Sequence, residues 1–184
     1  DPTGWSLSAT PTDFLEQINY LKSQNYQTLT FEDIDFLTQN KQKFPQKPII
    51  LTFDDGYDDF YTNAFSVLQK NDFNAVVFMI GGRINQPGYL TSDQIKSLDA
   101  FGIEFGLHSQ THINMANSSL MRVEKELQEN TIALQNITGK ISNILAYPSG
   151  QFDEDLIDYL KTSGNINYAV TTIEQTADFS LHNP

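Results

Sequence analysis

The stretch Pro48-Ile49-Ile50-Leu51-Thr52-Phe53-Asp54-Asp55-Gly56 decides the fold. Its first six residues form a short apolar run, rich in β-branched and aromatic side chains and closed by a turn, which is the pattern of a buried strand. Two further runs of this kind follow, Ala75-Val76-Val77-Phe78-Met79-Ile80 and Ile103-Glu104-Phe105-Gly106-Leu107, and weaker ones lie at 142–147 and 166–172 beside the turn formers Pro148 and Gly164. Helical spacing separates them. It is clearest at Leu120, Val123, Leu127, Leu134 and Ile137, where intervals of three, four, seven and three keep one face apolar until Gly139, a suitable C-cap. Other helices are predicted over 11–24, 59–70, 91–100 and 153–162, with Thr91, Gln94 and Asp153 as starting signals. The polar segment 39–48 reads as the loop into the first core strand. Strands alternating with helices imply βαβ units and a mainly parallel sheet, so the class is α/β, as a layer or a barrel.

The chain's 184 residues suit a single domain over 1–184, and 39% hydrophobic residues with 13 Phe and 8 Tyr are enough to fill its core. Eleven basic against 23 acidic side chains leave a net charge of −12, which repels nucleic acid and anionic membrane alike. There is no Cys, so disulfides, thiolate metal sites and a Cys nucleophile are excluded. No run approaches the roughly 18 apolar residues of a membrane span. The start, Asp1-Pro2-Thr3-Gly4, lacks the basic and apolar regions of a signal peptide, and the sequence reads as a processed or excised piece.

In parallel α/β folds the active site gathers at the C-terminal ends of the strands. The residues there are Asp54-Asp55-Gly56, His108-Ser109-Gln110-Thr111-His112 and Tyr147-Pro148-Ser149-Gly150. His108 and His112, two of only three His, are candidate metal ligands, and a helical turn over 109–112 would put both imidazoles on one side. Adjacent strand residues face opposite ways, so Asp54 and Asp55 should diverge. One could complete a site of two imidazoles and one carboxylate, leaving the other to act as general base. Hydrogen-bonded loop histidines and a solvated Asp-Asp-Gly turn are the structural alternatives. Asp58 and Asp59 read as carboxylates at a helix start.

At these residues the sequence resembles the polysaccharide deacetylases of carbohydrate esterase family four, the NodB-homology domain. The first motif of that family, Thr-Phe-Asp-Asp-Gly, stands at Thr52-Phe53-Asp54-Asp55-Gly56, and the second, His-Ser/Thr-x-x-His, at His108-Ser109-Gln110-Thr111-His112. The segments 12–22, 26–33 and 169–172 are similar to the branch that deacetylates poly-β-1,6-N-acetylglucosamine. The third motif, Arg-x-Pro-Tyr in many members, reads Ala146-Tyr147-Pro148-Ser149-Gly150 here, and that branch is similar in lacking the Arg.

The resemblance implies a distorted (β/α) barrel, incomplete at both termini, with a divalent metal on Asp55, His108 and His112. Zinc is expected, with cobalt or nickel as the other choices. It further implies Asp54 as catalytic base, the Ser149 N–H as donor to the carbonyl oxygen, and Tyr147 and Pro148 at the substrate. The acid is open between a residue outside this sequence, another group of the chain, and His182. The implied activity is removal of N-acetyl groups from an N-acetylglucosamine polymer by a bacterial extracellular or cell-surface enzyme. Peptidoglycan and chitin oligomers are alternative substrates, a non-catalytic carbohydrate-binding domain is the alternative class, and a metal phosphoesterase ranks last because Arg83 and Arg122 are the only arginines. Oligomeric state is left open.

Overall fold

The computed structural model describes residues 9–173. Five parallel strands make the main sheet: β3 (Thr52–Phe53), β4 (Val76–Met79), β5 (Glu104–Leu107), β6 (Ile144–Ala146) and β7 (Tyr168–Val170). They lie in the order β3-β4-β5-β6-β7, so each strand adds beside its predecessor and the order never reverses. A doubly wound sheet needs such a reversal, whereas a barrel does not. The architecture is the expected α/β type, with a curled parallel sheet forming a half-barrel.

The apolar run at β4 is continuous because both of its faces are covered. Val77 and Met79 pack with Leu68, Leu98 and Leu134 from helices α3 (Phe65–Lys70), α4 (Ser92–Phe101) and α5 (Leu120–Thr138). Val76 and Phe78 point the other way, into a smaller cluster with Leu29, Phe31, Ile34, Ile144 and Ala146. Each buried side chain of this size contributes about 1.5–3 kcal/mol. Helix α1 (Pro11–Ser23) packs on α3, and α6 (Glu154–Ser163) precedes β7.

The helix signals act as their chemistry requires. Thr91 and Gln94 form a capping box, the Asp153 carboxylate accepts the Leu156 N–H at 2.8 Å, and Gly139 closes α5 in the left-handed region at φ 74°. Three features depart from the sequence reading. The run 48–53 divides into β2 (Pro48–Ile49), which pairs with β1 (Gln27–Thr28) in a separate two-stranded sheet, and β3, which pairs with β4, because the chain changes partner at Ile50 and Leu51. Helix α2 (Phe31–Gln39), unanticipated, is capped by Thr30 and Asp33 and lays Phe31 and Ile34 on the smaller cluster. Asp59 does stand at a helix start, but its side chain makes no capping bond, and the helix opens with a π turn, Phe60–Ala64.

Glu104 opens β5 at the edge of the sheet opposite the strands' C-terminal ends, and its carboxylate accepts the Phe31 N–H of α2 at 2.7 Å. Burial pushes its pKa up to about 7, against the pull of the Phe31 and Glu32 amides. The folded chain therefore holds this proton more tightly than the unfolded chain, where the carboxyl titrates near 4.5. Stability from this group is fullest below that value, falls as pH rises towards 7 and then levels off. Urea unfolding from about pH 4.5 to 8 is expected to show a loss of about 2–3 kcal/mol in the wild type that Glu104→Gln lacks. Equal pH slopes would contradict this account.

Candidate metal centre

Parallel pairing sends the C-terminal ends of β3, β5 and β6 to one edge of the sheet, and the three sequence motifs follow those ends directly. The backbone there is unusual. Asp55, Ser109, His112 and Ser149 all adopt left-handed conformations, with φ of 69°, 60°, 59° and 59°. Such strain persists only where surrounding contacts enforce it, and it concentrates at functional sites. Gly56 continues the left-handed turn at φ 78° while passing over Met79, and a Cβ there would stand 2.4 Å from the Met79 sulfur. Glycine here spares the loop both left-handed strain and a contact with the Met79 side chain as it carries Asp55 around this corner.

Asp55, His108 and His112 converge. The Asp55 Oδ1 lies 3.4 Å from the His108 Nε2 and 3.6 Å from the His112 Nε2, and one ligand atom from each residue falls within 4.8 Å of the others. These separations are long for hydrogen bonds. They match the spacing of about 3.4 Å between donors held at about 2.0–2.1 Å around a tetrahedral ion. The Asp55 Oδ1 is also buried with no hydrogen-bond partner, which requires an explanation that a cation supplies. The His108 Nδ1 lies 2.8 Å from the Ala146 carbonyl oxygen, to which it donates as N–H. That bond fixes the tautomer, so the Nε2 presents a lone pair towards Asp55. Two imidazole nitrogens and one carboxylate oxygen, with His112 open to solvent, form a donor set suited to a divalent ion with further coordination positions available.

The electrostatics point the same way. The His108 imidazole beside Asp55 is the main influence holding that carboxyl below the usual range, against the opposing effect of burial. Burial alone would push His108 down, but the Asp55 and Asp54 carboxylates and the Ala146 carbonyl raise it overall. His112 is lowered, first by burial and then by the charge of His108. The cluster favours one positive charge at its centre. Asp54 keeps a solvent-exposed edge, yet desolvation raises its carboxyl pKa against the pull of His108, and Asp55 adds to the rise.

The expected helical turn over 109–112 does not form. The left-handed Ser109 and His112 fold this segment as an open loop, and the imidazoles meet with ring centroids 4.9 Å apart. After β6, Pro148–Gly150 makes a single 3-10 turn that exposes Ser149 and buries Pro148. Tyr147 is buried as well, its ring 5.1 Å from that of Phe152, so this pair holds the turn and Ser149 is the residue it offers to solvent. His182 lies outside the described residues. Sequence reasoning missed Tyr57, whose hydroxyl interacts with Asp55 and whose ring stacks 5.0 Å from Tyr89. Burial, then the Asp55 charge, pushes the Tyr57 hydroxyl up to about 12. Its position two residues after Asp55 was the available signal.

A family model described as polysaccharide deacetylase matches residues 41–167. The protein YxkH of Bacillus subtilis (strain 168) is 28% identical over 162 residues, which are 88% of this chain and 58% of that protein. The poly-β-1,6-N-acetyl-D-glucosamine N-deacetylase of Staphylococcus aureus (strain MRSA252) is 26% identical over 173 residues, 86% of this chain and 59% of that enzyme. The chain thus spans a little under three fifths of the length of these relatives. The solved structure of the Streptococcus pyogenes deacetylase PplD in complex with acetate matches with a TM-score of 0.77 at 25% identity, covering 86% of this chain and 73% of that one. No helix among the described residues is long and apolar enough to cross a membrane.

Calorimetric titration with Zn²⁺ is expected to show one site, lost in both Asp55→Ala and His108→Ala while their far-UV circular dichroism is unchanged. Wild-type affinity in either variant would remove that residue from the ligand set.

Proposed function

The chain belongs to the polysaccharide deacetylase family, and on that premise we propose that it is a metal-dependent N-deacetylase of an N-acetylglucosamine polymer, working outside the bacterial cell or on its surface. The observation that carries this reading is the convergence of Asp55, His108 and His112, with Asp54 beside them. A divalent ion held by those three residues supplies Lewis acidity, polarising an amide carbonyl and acidifying water. Zinc suits the two-nitrogen, one-oxygen set, with cobalt or nickel as replacements.

The chain's own residues supply the rest. Asp54 takes the proton of the attacking water, and its burial-raised pKa brings it nearer the working pH of a general base. As the water oxygen bonds to the carbonyl carbon, negative charge grows on the carbonyl oxygen, where the Ser149 N–H donates. The left-handed turn that Tyr147 and Pro148 hold leaves this residue open to solvent, which supports that role. The carbon–nitrogen bond then breaks as the proton that Asp54 took from the water is passed to the nitrogen, which leaves as the free amine, and acetate is released.

The name of the Staphylococcus aureus relative makes poly-β-1,6-N-acetylglucosamine the first substrate to offer, with peptidoglycan and chitin oligomers as comparisons. A surface of net charge −12 accepts a neutral glycan without repulsion. One observation favours a second reading, a carbohydrate-binding domain without turnover: Ala146 offers no side chain to orient Asp54.

Acetate release from poly-β-1,6-N-acetylglucosamine is expected to fall by about 10²–10⁴-fold in Asp54→Asn, with Zn²⁺ binding retained. An unchanged rate would remove Asp54 from the mechanism, and glycan binding without acetate release by the wild type would favour the second reading.

A further inference from the structure

The apolar stripe of α5 has a gap. Leu120, Val123, Leu127, Leu134 and Ile137 skip one turn, and that turn is filled by Asn130, which has no exposed surface. One turn earlier Glu126 is only 6% exposed. Burying a carboxylate and an amide inside a helix–sheet interface is unfavourable unless each is well bonded, and an apolar residue would fill either position without that penalty. What the oxygens of these two side chains bond to is the loop that carries both histidines, while the Asn130 Nδ2 is left buried without a partner and Glu126 has Arg122 at 3.7 Å as its other contact.

Glu126 grips Thr111 with both oxygens. Its Oε2 accepts the Thr111 N–H at 2.7 Å and its Oε1 accepts the Thr111 hydroxyl at 2.8 Å. The Asn130 Oδ1 accepts the His108 N–H at 2.9 Å, a donor it shares with the Met79 carbonyl at 3.0 Å. The opposite side of the loop is closed by backbone. The Gly81 N–H donates to the Ser109 carbonyl at 3.1 Å and the Gly82 N–H to the Gln110 carbonyl at 2.8 Å. That approach needs glycine, because a Cβ on Gly82 would stand 2.6 Å from the Gln110 carbonyl oxygen. Between α5 and this glycine pair, each residue from 108 to 111 is bonded to a neighbouring element, and the segment carries left-handed backbone at Ser109 and His112.

We infer that Glu126, assisted by Asn130 one turn further along α5, is the positioning residue of the metal centre, clamping the 108–112 loop so that both imidazoles face Asp55. Glu126 touches neither the ligand atoms nor a substrate; it acts through Thr111, the residue next to His112. The inference rests on the reading that Asp55, His108 and His112 hold a divalent ion, and it adds that the ion's affinity is set partly by a helix behind the site. Loss of a partner that orients a ligating histidine typically lowers metal affinity by about 10–100-fold.

The test is Co²⁺ affinity, measured by competition with a chromophoric chelator, together with the visible absorption of the Co²⁺-loaded chain. Glu126→Ala is expected to bind Co²⁺ about 10-fold more weakly, the low end of that range because Glu126 reaches His112 only through Thr111, with an altered spectrum. Glu126→Gln should recover most of the affinity, since its amide can accept the Thr111 N–H and donate to the hydroxyl. Thr111→Ala, at an exposed position, should lose several-fold with its far-UV circular dichroism unchanged, whereas Thr111→Ser should match the wild type. Leu134→Ala, a cavity in the same helix, controls for general loosening of α5 and should keep its affinity. Wild-type affinity and spectrum in Thr111→Ala and in a folded Glu126→Ala would overturn the inference, as would an equal loss in Leu134→Ala. A wild-type chain that takes up no Co²⁺ would instead defeat the reading of the metal site itself, and this inference with it.

Discussion

The site depends on a single register. Leu107 of β5 stands opposite Leu145 of β6, so the next residue of each strand, His108 and Ala146, emerge side by side at the edge of the sheet. From there the His108 Nδ1 reaches the Ala146 carbonyl, and that bond turns the Nε2 towards Asp55. A slip of one residue between β5 and β6 would send the imidazole to the other face, because side chains alternate along a strand. Both core clusters hold this register, since Leu107 and Leu145 belong to the larger one and Ile144 and Ala146 to the smaller. Packing on two faces of a parallel sheet thus becomes the orientation of one ring nitrogen.

The same logic gives Ala146 a role that its side chain cannot have. It cannot orient a carboxylate, yet its backbone oxygen selects the tautomer of a histidine. Ser149 is comparable, for the proposed mechanism uses only its N–H, and a left-handed serine still presents one. The strained residues sit where contacts over-determine them. Asp55 is carried round a glycine corner packed on Met79, and the 108–112 loop is gripped between α5 and Gly81–Gly82. The loops carry the strain, and contacts with the packed elements behind the site enforce it.

Much of this was legible because the signals are local. The continuous run at β4, the Thr91–Gln94 box, Asp153 and Gly139 each specify their own element, and the two motifs fall at strand ends where a parallel fold collects its chemistry. The misses are tertiary. Nothing within 48–53 says that the chain leaves β1 for β4 at residue 50, because that change of partner is decided by Leu29 and Val76, both distant in sequence. A helical turn over 109–112 would suit the histidine spacing. The bonds from Gly81, Gly82 and Glu126 favour an open loop instead. Helix α2 was readable from Thr30 and Asp33, and the seven-residue interval in the α5 stripe already marked Asn130.

The central claim is that these strand ends form the metal-dependent hydrolytic centre of an N-deacetylase. Its most direct test compares acetate release from poly-β-1,6-N-acetylglucosamine by three samples of the chain: loaded with Zn²⁺, stripped with a chelator, and reloaded. The account predicts release by the loaded chain, loss on stripping and recovery on reloading. Release that survives complete removal of the metal, or a fully loaded chain that releases no acetate, would contradict it.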